Sequence, residues 1–425
     1  MARFALVCPP YPSHQRVMDA LAQQLTARGH TALQIRFQGS ASRTPPPSTD
    51  SVLIEDRASQ SGVVPAGANR FKSFKIAHMA QTVTGLAQRT DLVCREAPDL
   101  LTRQRIDVVL GDQMEAGAGL VAAYLHLPLI SVASALPIEC DPGMAPPWLS
   151  WKYDTGSEAI KRRRVAERIS AWLLRRHRAV IHEWAHRFGL SPRHSLEDCV
   201  SLQCCVSQTV PGFDFPRPST SPISAVGPLR AAADYAELPP LDPPMDPDRP
   251  IVYASLGTLQ GHRLSIFQRI ARACRRLNVQ LMVVHCGGLT SHQAATIEAT
   301  WVRDHIPQRA MLECCDVCIS HGGLNTVLDA LALGVPVLAL PMMYDQPGVA
   351  ARLVHHQLGL RLSPRNLSVA RVQEAIETLL NDSGYRRRAG TMRNEIETAG
   401  GTPRAVALIE DLLNDRQNAA CSALY

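Results

Sequence analysis

The chain lacks any apolar run long enough to cross a bilayer, although 46% of its 425 residues are hydrophobic. A spanning helix needs about 20 consecutive apolar residues, so any contact with a membrane has to be peripheral. The first apolar run ends at Cys8, before Pro9 and Pro10, and is too short for a secretory signal. We interpret this run as a first β-strand and expect a cytoplasmic protein, with peripheral contact with the inner face of the cell membrane left open.

A regular cysteine framework is also missing. The twelve cysteines follow no disulfide-like spacing, so in a chain without an export signal they are expected to be reduced thiols. Cys315 and Cys318 have an interval found in metal sites, but no second pair accompanies them. Residues three apart on a strand also point to opposite faces of a sheet. We therefore predict no metal site and no cofactor.

Strong charge of one sign is absent, since the net charge is only +6. A nucleic-acid-binding domain usually has a denser basic surface, so we expect no nucleic acid partner. Two short basic runs, Lys161–Arg164 and Arg175–Arg178, stand out. Such runs are most often solvated helix faces, but on one shared face they could approach an anionic membrane.

Aromatic residues are scarce, at 5%, which makes one local group informative. Trp148, Trp151 and Tyr153 lie close together after Pro146 and Pro147. Core packing or a lid between domains would explain them. An apolar wall for a lipophilic substrate is the alternative, because such ligands need aromatic surface with few polar groups. On that alternative, Trp148 and Trp151 are the candidate residues for binding the lipophilic substrate.

The sequence does contain strands that alternate with helices in both halves. In the first half, strand-like runs such as Phe4–Cys8 and Val108–Leu110 are separated by helix-like segments. Prolines become dense up to Pro250, and a new alternation begins at Ile251. This pattern is typical of parallel sheets covered by helices on both faces. We predict an α/β protein with two doubly wound Rossmann-like domains that face each other across a cleft.

The most informative stretch begins where an apolar strand ends at Ser320. Two glycines follow His321, and Asn325 and Thr326 then begin a helix. The first amides of a helix have no partner inside it and can bind an anion such as a diphosphate. His321, Gly323, Asn325 and Thr326 are therefore candidate ligands of a diphosphate.

Acidic and amide residues complete this stretch. Asp329 lies about one helical turn past Asn325, where a carboxylate could accept from ribose hydroxyls. Asp345 and Gln346 follow the next strand and suit sugar hydroxyls. A structural turn would need the glycines but not the whole set, so the combined spacing predicts a nucleotide-sugar site.

Two further loops belong to the predicted sheet edges. Gly257 and Thr258 end the first strand of the second half and could approach a phosphate. His14 follows the first strand of the chain, where a neutral imidazole could take a proton from an alcohol. Asp112 ends another strand of the same sheet, so the two could form a carboxylate–imidazole pair. Ordinary loop residues are the alternative.

Together these motifs resemble family 1 glycosyltransferases of the two-domain GT-B architecture. The resemblance covers most of the chain and rests on five segments besides the His321 stretch, at residues 9–14, 112–115, 131–137, 255–263 and 345–350. It implies inverting transfer of glucose from UDP-glucose to the hydroxyl groups of the carotenoid zeaxanthin, giving a monoglucoside and then a diglucoside.

The resemblance also implies a role for each site residue. His14 would be the general base and Asp112 its partner. On the donor side, it assigns the diphosphate to His321, Asn325 and Thr326, the ribose to Asp329, the glucose hydroxyls to Asp345 and Gln346, and uracil to Gln308. Two positions depart from the family pattern: His305 replaces a tryptophan of plant members, and Asp329 replaces a glutamate that is one methylene longer.

On this basis we predict four regions. Residues 1–228 form an N-terminal acceptor-binding domain, 229–250 a proline-rich linker, 251–400 a C-terminal UDP-sugar-binding domain, and 401–425 a C-terminal helix, from about Thr402 to Leu413, and a tail. The alternatives are a UDP-sugar transferase for another lipophilic alcohol such as a sterol or polyketide, a nucleotide-sugar epimerase, and a non-catalytic UDP-sugar-binding protein.

Overall fold

The computed structural model describes residues 1–38, 50–55, 71–138 and 144–422. These residues form two parallel β-sheets. Successive strands of each sheet are connected mainly through helices, as the alternating pattern predicts. The predicted α/β class with two doubly wound domains is confirmed.

The first sheet has seven strands in the order β3-β2-β1-β4-β5-β6-β7. Its strands are β1 Arg3–Val7, β2 Thr31–Gln38, β3 Asp50–Glu55, β4 Val108–Asp112, β5 Leu129–Ala133, β6 Cys205–Ser207 and β7 Ile223–Ala225. The helices of this half are α1 Pro12–Ala27, α2 Phe71–Arg103, α3 Ala116–Tyr124, α4 Ser157–Leu173 and α5 Arg175–Arg187. All five residues of β4 are buried, which agrees with its apolar start at Val108–Leu110, and the strand ends on the buried Asp112.

The second sheet has six strands in the order β10-β9-β8-β11-β12-β13. Its strands are β8 Ile251–Ser255, β9 Gln280–Val284, β10 Trp301–Arg303, β11 Val317–Ser320, β12 Val337–Ala339 and β13 Gly359–Arg361. The helices that follow are α6 Gly257–Gln260, α7 Leu264–Arg276, α8 Ser291–Ala295, α9 Gln308–Glu313, α10 Leu324–Leu331, α11 Gln346–His355, α12 Val369–Asn381, α13 Ser383–Ala399 and α14 Gly401–Ser422.

The last helix returns to the first half of the molecule. Gly400 adopts a left-handed conformation between α13 and α14, which redirects the chain. Val406 and Ile409 are completely buried in a core that includes Phe4 of β1 and Leu21 of α1. Helix α14 extends to Ser422 and is longer than the predicted Thr402–Leu413.

The proline-rich segment before β8 packs on the second sheet. The backbone carbonyl of Pro243 accepts from the indole N–H of Trp301 at 2.7 Å. The side-chain amide of Gln280 donates to the carbonyls of Asp246 and Arg249 at 2.8 and 2.9 Å. These bonds tie the segment to strands β9 and β10.

Candidate active site

A carboxylate–imidazole pair lies at the C-terminal edge of the first sheet. Strands β1 and β4 are neighbours, and Val7 is in register with Gly111, so the loops after both strands meet. His14 is in the first turn of α1, and its Nδ1 is 2.8 Å from Oδ2 of Asp112. The other carboxylate oxygen accepts from the backbone N–H of Met114 at 2.9 Å. The structure therefore brings His14 and Asp112 together as the pattern allowed.

The pair fixes the tautomer of His14. A carboxylate only accepts hydrogen bonds, so Nδ1 carries the proton and Nε2 keeps a lone pair. The side chain of Asp112 is completely buried, whereas that of His14 is 13% exposed. This arrangement can take a proton from an alcohol at Nε2 while Asp112 stabilises the resulting imidazolium.

The pKa of His14 lies above its ordinary value. Burial by itself lowers this pKa, but the charge of Asp112 and its hydrogen bond raise it, and the charge of Asp345 adds to the increase. The balance favours the protonated ring, which is the form that a general base takes up during the reaction.

His321 occupies the facing edge of the second sheet, between two glycines. A Cβ on Gly257 would lie 2.7 Å from Cε1 of its ring, and one on Gly323 would lie 2.6 Å from Nε2. Gly257 also has a φ of +70°, which disfavours other residues. Both glycines are therefore required by the position of the imidazole, and Gly257 is required by its backbone conformation as well.

His321 is neutral near physiological pH. Burial lowers its pKa to about 4, although a hydrogen bond with the backbone of Ser255 acts in the opposite direction. A neutral imidazole has a single N–H, so His321 can donate to a phosphate oxygen only by releasing Ser255, and it contributes no net positive charge. The positive end of helix α10, which begins one residue after Gly323, remains as an anion-binding element.

Helix α10 also contacts the first half of the chain. The side-chain amide of Asn325 donates to the backbone carbonyl of Ser13, one residue before His14, at 3.1 Å. Its Oδ1 is buried and has no hydrogen-bond partner among the described residues. The predicted base and the predicted diphosphate site are thus directly connected across the two sheets.

Asp345 forms a second connection between the halves. Its Oδ2 accepts from the backbone N–H of Leu136 at 3.2 Å. Burial raises the pKa of Asp345, partly offset by that bond and by the charge of His14. Gln346 is buried, and its Oε1 accepts from the backbone N–H groups of Met342 and Met343 at 2.9 and 3.0 Å. The side-chain oxygen of Gln346 therefore already accepts hydrogen bonds within its own loop.

Asp329 does not lie on an open ribose surface. Its carboxylate is completely buried and accepts from Arg230 at 2.7 Å, Arg16 at 3.3 Å and Arg309 at 3.4 Å. Arg16 also pairs with Asp234 at 2.8 Å. We call these five residues the arginine cluster. The Asp329 side chain is thus enclosed by guanidinium groups in this structure, and its ribose contact stays a prediction.

Gln308 is engaged by the same network. Its Nε2 donates to Asp329 at 2.7 Å, and its Oε1 accepts from the hydroxyl of Thr326 at 3.2 Å. The hydroxyl of Tyr253 is 3.4 Å from the same oxygen. The side chain thus joins α9 to α10 in this structure, while His305 is exposed. The uracil contact of Gln308 stays a prediction.

The remaining donor-side residues follow β8. Gly257 begins helix α6 directly against the His321 ring, and Thr258 is exposed on the next position. An exposed hydroxyl at a sheet edge is free to contact a phosphate or sugar. The structure thus gathers Gly257, Gly323 and His321, and leaves Thr258 open to ligand.

The two tryptophans lie in a segment that we call the tryptophan loop, residues 144–153. Trp148 is 38% exposed. The carbonyl of Pro147 accepts from the backbone N–H of Gly348 at 3.0 Å, so the loop rests on helix α11 beside Gln346. Trp151 borders a cavity of about 240 Å³ that Met144 also lines. Within the described part of the chain, neither a hydrogen bond nor a ring contact joins either tryptophan to His14.

Sequence reasoning missed the arginines of the cluster and one more buried arginine. Arg89 of α2 lies over the ring of Tyr11, with its guanidinium carbon 5.6 Å from the ring centroid. It is 8% exposed, and its charge lowers the pKa of His14 as a minor influence. No local signal could identify these residues, because Arg16, Arg89, Arg230 and Arg309 come from distant segments.

Metal-ligand clusters and membrane-spanning helices are both absent from the part of the chain that the structure describes. Ranges 1–38, 50–55, 71–138 and 144–422 contain no group of three or more His, Cys, Asp or Glu residues that could hold a metal ion. Within the same ranges no helix is both long and apolar enough to cross a bilayer.

Comparisons with known proteins agree with this architecture. Residues 4–394 match the model of the family described as UDP-glucoronosyl and UDP-glucosyl transferase. The chain is 38% identical over 429 residues to the zeaxanthin glucosyltransferase of Pantoea ananas, covering 97% of this chain and 96% of that protein. It is 37% identical to the zeaxanthin glucosyltransferase of Pseudescherichia vulneris, covering 97% and 98%.

Solved structures share the fold at low sequence identity. A calicheamicin glycosyltransferase superposes with a TM-score of 0.71 at 20% identity, covering 97% of this chain and 98% of that one. A spinosyn rhamnosyltransferase complexed with thymidine diphosphate gives 0.65 at 19% identity, covering 96% and 100%. These matches show the two-domain GT-B fold. With the family match over most of its length, the chain belongs to the UDP-glucoronosyl and UDP-glucosyl transferase family of glycosyltransferases.

Proposed function

We propose that this enzyme transfers glucose from UDP-glucose to the hydroxyl groups of zeaxanthin. The observation that carries the proposal is the Asn325–Ser13 hydrogen bond, which holds the His14–Asp112 pair against the helix that begins at the His321 turn. The proposed base and the proposed donor site would therefore face one cleft. The full-length similarity to two zeaxanthin glucosyltransferases supports the acceptor.

The proposed reaction is a single displacement at the anomeric carbon. The acceptor hydroxyl forms a bond to that carbon from the side opposite UDP, and its proton passes to Nε2 of His14. The bond from the anomeric carbon to the β-phosphate oxygen breaks, and UDP leaves with the electron pair. Backside attack on UDP-α-glucose inverts the configuration and gives a β-glucoside.

The leaving group would be held by groups of the chain itself. The helix α10 amides near Asn325 and Thr326 point at the developing charge, and His321 donates a hydrogen bond as a neutral imidazole. The arginine cluster, which contains three guanidinium groups and two carboxylates, lies about one helical turn away. We therefore propose a metal-independent reaction, which turnover in the presence of a chelator would check.

The same contacts suggest a separate role for each half of the chain. We propose residues 1–228 as the acceptor-binding domain, with the tryptophan loop as an apolar wall, and 251–400 as the UDP-sugar-binding domain. Residues 229–250 would connect them, and residues 401–425 would return to the first half. Asp345 and Gln346 would contact the glucose. Because the side-chain oxygen of Gln346 already accepts two backbone hydrogen bonds, its side-chain N–H groups would be the donors to the sugar.

Product analysis tests the proposal directly. Purified enzyme with UDP-glucose and zeaxanthin is expected to give a β-monoglucoside and then a diglucoside. A panel with a sterol and a polyketide alcohol tests the acceptor: preferred glucosylation of either would replace zeaxanthin. Conversion of UDP-glucose without any acceptor would indicate an epimerase, and UDP-glucose binding without turnover would indicate a binding protein.

A further inference from the structure

Helix α4 presents an unusual surface in the first half of the molecule. It is 17 residues long, and none of its residues is buried. Val165, Ile169 and Trp172 are 54%, 55% and 63% exposed. Their spacing of four and three residues places all of them on one face of the helix. A helix that exposes an apolar stripe to water lacks the core contact that normally justifies such a pattern.

Cations line both sides of this stripe. Along α4 and the start of α5, the exposed cations are Lys161, Arg162, Arg164, Arg168, Arg175 and Arg176. The acids of α4 are Glu158 and the partly exposed Glu167, which pairs with Arg163 at 2.8 Å, and Arg162 pairs with Asp154 at 3.6 Å. Lys161 pairs with Glu158 at 2.8 Å, and Arg175 lies over the ring of Trp172 at 4.7 Å. In the described part of the chain, Arg164 and Arg168 have no carboxylate partner. We call this surface the α4 face.

The occupant has to satisfy apolar groups and cations at once. A nucleic acid would neutralise the arginines but would leave Val165 and Ile169 without apolar contact. An anionic bilayer offers headgroup phosphates at the level of the arginines and acyl chains just below, where Trp also prefers to lie. Charge complementarity and the apolar stripe therefore favour a lipid surface.

We propose that the α4 face docks the enzyme on an anionic phospholipid bilayer. Val165, Ile169 and Trp172 enter the boundary between headgroups and acyl chains, and the flanking arginines bind phosphates. The position of the α4 face also explains how the acceptor reaches the enzyme, an argument that rests on the proposed lipophilic acceptor. Arg162 and Arg163 of α4 line the same 240 Å³ cavity as Trp151. A carotenoid that leaves the bilayer beside α4 would reach the tryptophan loop without crossing water.

Vesicle flotation with the full chain tests this inference without any turnover. Wild type is expected to float with vesicles that contain phosphatidylglycerol and to remain unbound with pure phosphatidylcholine. The double variant R164Q/R168Q is expected to partition roughly 30-fold more weakly, since each basic residue near an anionic surface contributes about a factor of five. The matched control R272Q/R276Q, with the same spacing on α7, should bind like wild type.

The apolar stripe is tested separately. The variant V165S/I169S/W172S is expected to lose flotation even at low salt. The control L202S changes an apolar residue outside the α4 face that is 88% exposed, and it should float like wild type. Circular dichroism and thermal unfolding would show that all variants remain folded. Glucosylation of zeaxanthin in vesicles should fall in the α4 variants, while glucosylation of a water-soluble alcohol should not change.

Several results would overturn the inference. The first is that wild type fails to float with phosphatidylglycerol vesicles, and the second is that it floats equally with phosphatidylcholine vesicles. A third such result is that the α4 variants float as well as their control variants. Dimerisation that V165S/I169S/W172S abolishes would assign the face to a second copy, and tight RNA binding that R164Q/R168Q abolishes would assign it to nucleic acid. Failure of zeaxanthin turnover with normal flotation would reject the acceptor and leave the lipid surface standing.

Discussion

At the residue scale, two histidines on opposite sides of the cleft have opposite electrostatic environments. The pKa of His14 is raised, because the charge and hydrogen bond of Asp112 outweigh burial. The pKa of His321 is lowered to about 4 by burial. Well above pH 4 His321 stays neutral, so of the two histidines only His14 changes charge there. We therefore assign the acid limb of the activity profile to His14.

This assignment predicts the behaviour of Asp112→Asn. The variant removes the main influences that raise the pKa of His14, so burial dominates and the pKa falls. The acid limb of the rate profile should therefore move to lower pH. The maximal rate should fall by about 10²-fold or more, because Asp112 no longer orients the His14 ring and no longer stabilises the imidazolium. Steady-state kinetics across pH would measure both effects.

A matched control is Asp99→Asn on the exposed surface of α2. It should change neither the rate nor the profile. If the acid limb of Asp112→Asn stayed in place, the protonation of His14 would not limit the reaction.

Gly323→Ala tests the packing of the His321 ring. The added Cβ would lie 2.6 Å from Nε2, so the imidazole would have to move. Overpacking of this kind costs about 1–3 kcal/mol of stability, and we expect the displaced His321 ring to weaken UDP binding. Calorimetric titration with UDP would measure it. Gly390→Ala on α13, where a Cβ meets nothing within 4 Å, should leave affinity unchanged; equal affinities in the two variants would contradict the account.

The residues around His321 were predictable and the arginine cluster was not. The glycines, His321, Asn325 and Thr326 are contiguous, so their joint spacing is visible in the sequence. The partners of Asp329 come from α1, the segment before β8 and α9, and no local pattern brings them together. The expected ribose contact of Asp329 came from its spacing after Asn325 and from family likeness, and neither could reveal that three arginines bury this carboxylate.

At the element scale, the strands were predicted best. Strands such as β4, β8 and β9 are buried at every position, so their apolar runs stand out from the surrounding sequence. Helix α14 was predicted too short, because its final turns lack the apolar spacing that a core contact imposes. The basic runs of α4 and α5 were visible, but their common exposure beside Trp172 required the three-dimensional arrangement.

Helix α14 should stabilise the first half of the molecule although it ends the chain. Ile409→Ala removes a completely buried side chain from the core beneath β1 and α1. The expected loss of unfolding free energy is about 2–5 kcal/mol, measured by urea denaturation. Hydrogen exchange in α1 should increase in the same variant.

The exposed Arg404→Ala on the same helix should change stability by less than about 0.5 kcal/mol. If Ile409→Ala matched that control, α14 would contribute little to the core of the first half.

At the scale of the whole molecule, the arginine cluster joins the two sheets. Asp329 belongs to the second half, Arg16 to the first, and Arg230 to the segment between them. The pKa of Asp329 is about 2, below its ordinary 3.8, because the charges of Arg230 and Arg16 outweigh burial. The contribution of the ionised carboxylate to stability is therefore complete above the ordinary pKa and is lost as pH falls towards about 2.

Asp329→Asn removes the carboxylate with which Arg230 and Arg309 pair, whereas Arg16 keeps Asp234. We expect a loss of about 3–5 kcal/mol at neutral pH, as for other buried pairs from which one partner is removed. Stability should also decline less steeply between about pH 4 and pH 2 than in wild type. Thermal unfolding across pH would show this, with the exposed Asp248→Asn as control. A wild-type slope in Asp329→Asn would mean that another carboxylate controls acid unfolding.

The central claim is that one half of the molecule supplies the base and the other holds the donor. The most direct measurement compares zeaxanthin glucosylation and UDP affinity in His14→Ala and wild type. The account predicts turnover reduced by about 10²–10⁴-fold in His14→Ala with UDP affinity unchanged. Turnover near the wild-type rate in folded His14→Ala, or loss of UDP affinity equal to the loss of turnover, would contradict it.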